Sequence, residues 1–99
     1  MKRILLVLTL AALAGCAAYV PMPDALMAGG DDARLEDLKS GRSLYINKCS
    51  GCHALVPVDR YDDAKWVSEV DEMFKAKKVK MSTGDRDLLL RYLTTANGR

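Results

Sequence analysis

The sequence predicts an all-α fold of three or four short helices. Apolar residues recur at helical spacing in three stretches, and no stretch alternates polar and apolar as a half-buried strand does. Size is the third observation. At 99 residues the chain makes one small domain. A domain of that size buries little surface and usually needs a disulfide, a metal or a bound group as a staple. The hydrophobic fraction of 49% overstates the core, since much of it lies in the first eighteen residues.

Met1-Lys2-Arg3 is a short basic start, and Ile4 to Leu13 is an apolar run broken by Thr9. The run is about half of the roughly 20 residues a spanning helix needs. Residues 1–15 therefore read as a signal peptide. The run ends in Leu13-Ala14-Gly15-Cys16, which is similar to the bacterial lipobox. The resemblance implies cleavage before Cys16 and lipid on its sulfur and amine. Several acyl chains hold a protein to a bilayer far more firmly than one. Ala17 stands where the common inner-membrane retention signal has aspartate, so the outer membrane is favoured. The alternative is an ordinary signal peptide cleaved near Ala17 or Ala18 beside an incidental cysteine.

Residues 16–33 read as the lipidated Cys16 and a flexible tether, because Pro21, Pro23, Gly29 and Gly30 interrupt any regular element. Met22 and Met27 read as linker residues. Residues 34–99 form the expected domain. Its first helix has Asp32 as N-cap and a stripe of Leu35, Leu38, Leu44, Tyr45, Ile46 and Cys49. Gly41 falls inside that stripe at a cost to the helix, which is explained if another helix approaches closely there. Residues 54–61 read as a loop. Asp62 or Asp63 caps a second helix with the stripe Trp66, Val67, Val70, Met73 and Phe74. Ser82 or Thr83 caps a last helix that buries Leu88, Leu89, Tyr92 and Leu93 and ends at Asn97-Gly98.

Cys49-Ser50-Gly51-Cys52-His53 fits the C-x-x-C-H pattern of covalent haem attachment. Two thiols at this spacing reach the two vinyl groups on one porphyrin edge. The next residue then lies beneath the plane, where an imidazole can bind iron. Small residues at positions 50 and 51 let the backbone turn against the macrocycle. A dithiol redox pair would suit a strand–helix alternation that is missing here. Half a zinc site lacks its remaining ligands. A structural disulfide would close a tight loop. With haem, the three cysteines are all used: Cys16 takes lipid, and Cys49 and Cys52 take haem.

His53 is the only histidine, so one chain cannot supply imidazole to both faces of the iron. The usual other donor is a methionine thioether. Met73 and Met81 are the candidates. Each also has a packing reading: Met73 within its stripe, and Met81 as an apolar staple before Ser82. The N–H of an iron-bound imidazole normally donates to a carbonyl, and the Val56-Pro57 loop offers one. Arg60, Tyr61 and Trp66 are candidate partners for haem propionates, or else a surface arginine and packed aromatics.

From Gly41 to Leu93 the chain resembles a class I cytochrome c of the short bacterial monohaem type. Gly41-Arg42-Ser43-Leu44-Tyr45 is similar to that family's first helix and Arg91-Tyr92-Leu93 to its last. Pro57, Tyr61 and Trp66…Val70…Met73 resemble a subgroup with tryptophan, valine and methionine at this spacing. In that subgroup an apolar residue stands at the position of Met81. The resemblance implies two helices crossing at glycine and aromatic positions, one covalent haem c, and His53 and Met73 as axial ligands, with Met81 the alternative.

The formal charge is +2, and removing Lys2 and Arg3 leaves thirteen basic residues against thirteen acidic. Such balance argues against nucleic acid as a partner. Lys75, Lys77, Lys78 and Lys80 form either a solvated helix end or a docking patch for an acidic partner. The expected function is single-electron transfer between a redox donor and acceptor on the periplasmic side of a bacterial membrane. No catalytic residues and no small-molecule substrate are expected. The alternatives are a haem subunit of a larger oxidoreductase and a haem sensor binding NO or CO at an open sixth site. A haem-free thiol or zinc protein is the remaining one.

Overall fold

Helix α1, Asp32–Leu44, begins where the Asp31 carboxylate accepts the Arg34 amide at 3.1 Å. The cap is thus one residue earlier than Asp32. The computed structural model describes residues 19–49, 55–76 and 79–98. The expectations for residues 1–15, Cys16, Cys52, His53, Lys77 and Lys78 lie outside the described residues.

The first helix continues past Leu44 as one wider, π-helical turn, Tyr45–Cys49. A single 3₁₀ turn, Val58–Arg60, stands in the expected loop. Helix α2, Asp63–Lys75, is capped by Asp62, which accepts the Lys65 amide at 2.8 Å. Helix α3, Thr83–Ala96, is capped by Ser82, whose hydroxyl accepts the Asp85 amide at 3.1 Å. Asn97 ends it, and Gly98 leaves in the left-handed region (φ 71°) that glycine adopts without strain. Among the described residues there are three α-helices and no strand, so the fold is all-α. No helix among them is long and apolar enough to cross a membrane.

The main helix contact is α1 against α3, and α2 packs on α3. Gly41 is where α1 and α3 touch: a Cβ there would collide with the Leu88 carbonyl and lie 2.7 Å from Tyr92 Cβ. The glycine inside the apolar stripe is therefore explained by close helix approach. Arg91 and Asp37 join the same pair of helices at 2.9 Å, and Arg86 pairs with Asp71 between α3 and α2. The core gathers Tyr45, Cys49, Val58, Trp66, Val70, Leu89, Tyr92, Leu93 and Ala96. Val67, placed in the α2 stripe by the sequence, is exposed.

The segment expected as a flexible tether does not hang free in its described part. The Val58 amide donates to the Tyr19 carbonyl at 2.8 Å. The Arg42 guanidinium donates to the Val20 carbonyl from Nε at 3.3 Å and from Nη2 at 3.2 Å. The Tyr92 hydroxyl donates to the Pro21 carbonyl at 2.7 Å. Pro23 and Ala28 are buried, and Met27 packs on the core. Asp24 closes a turn by accepting the Met27 amide at 2.9 Å. Gly29 (φ 62°) and Gly30 (φ 80°) then redirect the chain into α1. Residues 19–31 form a strap fastened to the domain, and 32 and 33 already belong to α1.

Candidate haem-binding site

The end of the π-helical turn, the loop through Val56 and Tyr61, and one face of α2 enclose an apolar cavity of about 130 Å³. Tyr45 and Cys49 line it from the turn, Val56 and Tyr61 from the loop, and Trp66, Glu69, Val70 and Met73 from α2. Leu93 of α3 closes the far wall. The helix widens between Tyr45 and Cys49, and π-helical insertions of this kind are frequent at functional sites. Residues 66, 69, 70 and 73 line one side because they recur at the three- and four-residue spacing of a helical face.

The cavity wall is fixed by hydrogen bonds to the loop. The Tyr45 hydroxyl donates to the Val56 carbonyl at 2.5 Å. The Trp66 indole N–H donates to the Val58 carbonyl at 2.9 Å. Its ring stands edge-on to Tyr45 (centroids 5.7 Å apart) and to Tyr61 (5.0 Å). Asn97, buried at the end of α3, donates to the Tyr61 carbonyl at 3.2 Å and to the Asp63 carboxylate at 2.8 Å. Burial pushes the Tyr45 phenol above its ordinary value. A neutral phenol is what a donor to a carbonyl requires. Glu69 is the one carboxylate in the wall, and its partner is Lys65 at 2.9 Å, near the surface.

Cys49 is buried, and it shares the cavity with Met73. Met81 is half-buried and packs against the core, but it does not line the cavity. Trp66 is not placed as expected for a propionate partner. Indole has a single donor, and Val58 already accepts it. Arg60 is exposed and Tyr61 half-buried in the wall. In the Val56-Pro57 pair each carbonyl already accepts one bond, from the Tyr45 hydroxyl and from the Arg60 amide at 3.0 Å. Each keeps a second lone pair for another donor. Lys75 and Lys80 are exposed.

The residues present fit a covalently held haem by their chemistry. A buried thiol begins the C-x-x-C-H run, a thioether stands in the same cavity, and the remaining wall is apolar and aromatic. A porphyrin is larger than the cavity, so the fit is one of donors and polarity rather than volume. Sequence reasoning did not assign Tyr45 or Asn97 to the site. Tyr45 was visible only as a stripe residue, and Asn97 only as a helix end. Comparison with protein-family models, curated proteins and solved structures gave no match.

Proposed function

We propose that the protein carries single electrons on the periplasmic side of a bacterial membrane, through one haem c attached at Cys49 and Cys52. His53 and Met73 would ligate the iron, and the lipid on Cys16 would hold the protein to the membrane. The observation that carries this reading is the shared cavity: the first thiol of the motif and Met73 line one apolar space, and Met81 does not. Bound there, the group supplies a one-electron iron couple.

The chain's own part is to exclude water and hold the pocket rigid. Val70, Leu93 and Val56 give the site a low-dielectric wall. Tyr45 and Trp66 fasten the segment that follows the motif. A thioether from Met73 on the iron would suit an electron carrier and raise its potential. Production with cytochrome c maturation in a periplasm tests the reading. The expected spectrum has a reduced c-type pattern and, when oxidised, the weak far-red methionine–iron band. Met73→Ala should abolish that band and Met81→Ala should keep it. Covalent haem without the band would favour the open-site NO or CO sensor, and absence of covalent haem would overturn the reading. Stable co-purification with another protein would mark a subunit of a larger oxidoreductase.

A further inference from the structure

We propose that the strap is a membrane-seating surface, with Tyr19, Met22 and Leu26 resting in the interfacial zone of a zwitterionic bilayer. The inference rests on the lipid anchor at Cys16 in the function proposed above. Its own ground is where the apolar surface lies. Four large apolar side chains are exposed among the described residues, and three belong to the strap: Tyr19 at 51%, Met22 at 62% and Leu26 at 90%. Four other apolar residues of the strap serve the domain, as the burial of Pro23 and Ala28 and the packing of Val20 and Met27 show. Segment 19–30 thus turns some of its apolar side chains to the domain and leaves its three largest exposed ones, Tyr19, Met22 and Leu26, uncovered.

The occupant follows from chain length and charge. Cys16 lies three residues before Tyr19, a reach of at most about 11 Å at full extension. Lipid on Cys16 therefore brings this segment to the bilayer whatever its path. Tyrosine suits a surface that is apolar on one side and wet on the other. Residues 19–30 carry one charged side chain, Asp24, and no basic one. Attraction to anionic headgroups is then not what seats the strap. Three carbonyls of the strap are bonded to the loop, to α1 and to α3. A seated strap therefore fixes the orientation of the whole domain, and the cavity beside Val58 is held near the membrane instead of swinging on a tether.

The test uses the full, acylated, haem-loaded chain in phosphatidylcholine vesicles. A nitroxide is placed at Leu26→Cys, and a reference label at the exposed α3 position Asp87→Cys. The native cysteines carry lipid and haem and do not compete for label. The label at 26 should collide more with oxygen and less with a polar nickel chelate than the label at 87. That contrast should correspond to a depth of roughly 5–10 Å and persist when anionic lipid is added. Equal nickel access at both positions in a vesicle-bound protein overturns the seating and leaves the lipid anchor intact. Shielding at 26 that appears only on adding a redox protein also overturns it, making the face a protein contact. A chain that does not float with vesicles overturns both the anchor and the seating.

Discussion

Tyr45 and Trp66 restrain the segment after the C-x-x-C-H run with one hydrogen bond each, to carbonyls two residues apart in the chain. That spacing leaves Pro57 between two fixed points. The Tyr45 bond is half-buried, so its acceptor cannot be fully rehydrated once the donor is lost. Tyr45→Phe keeps the ring and its edge contact with Trp66 and deletes the hydroxyl alone. It should destabilise the protein by about 1 kcal/mol, measured as a lower denaturant midpoint with an unchanged slope. No loss would mean that Val56 is held by other contacts. The C-x-x-C-H run and the apolar stripe were legible in the sequence because they are patterns of residue type. The partners of Tyr45 and Trp66 were not, because a backbone carbonyl is the same at every position and leaves no mark in the sequence. For the same reason the sequence offers Trp66 as a propionate donor, whereas the Val58 carbonyl takes its single N–H.

At the scale of elements, three helices were readable from their stripes and caps. The strap was not. Pro21, Pro23, Gly29 and Gly30 correctly announced irregular backbone, but irregular is not the same as solvated. Three strap carbonyls accept bonds from Val58, Arg42 and Tyr92, which lie far away in sequence and carry no periodic signal. Gly41 is the opposite case. Its place inside an apolar helical stripe is a local contradiction that only close packing resolves, and α3 lies against it. Gly41→Ala should gain about 1 kcal/mol in helix propensity. It should lose more, because the new methyl meets backbone at Leu88, which no rotamer change can relieve. We expect a net destabilisation of about 2 kcal/mol in thermal or denaturant unfolding. A gain in stability would show that α1 and α3 can move apart freely.

At the scale of the whole molecule, Tyr92 ties the helix crossing to the strap. Its side chain is fully buried against α1 at Gly41, and its hydroxyl donates to the Pro21 carbonyl. Burial pushes this phenol from 10.0 up to about 12, although the nearby Arg42 pulls the other way. The raised value means that the folded state keeps the proton where the unfolded chain has lost it. The associated stability is fully present below pH 10 and is lost as pH rises through about 12. A shift of this size corresponds to about 2–3 kcal/mol across the window. Ionisation also removes the donor to Pro21, so the strap loses one of its three fastenings in the same range. Tyr45, raised by burial as well, adds a slope of the same sign. Tyr92→Phe should therefore be less stable than the parent at neutral pH, by the missing hydrogen bond. Between pH 10 and 12 its stability should fall less steeply, so the two curves converge. Chemical denaturation across that range checks the outcome. Parallel curves would show that Tyr92 ionises at its ordinary value, with its hydroxyl open to water and the strap held by its other contacts.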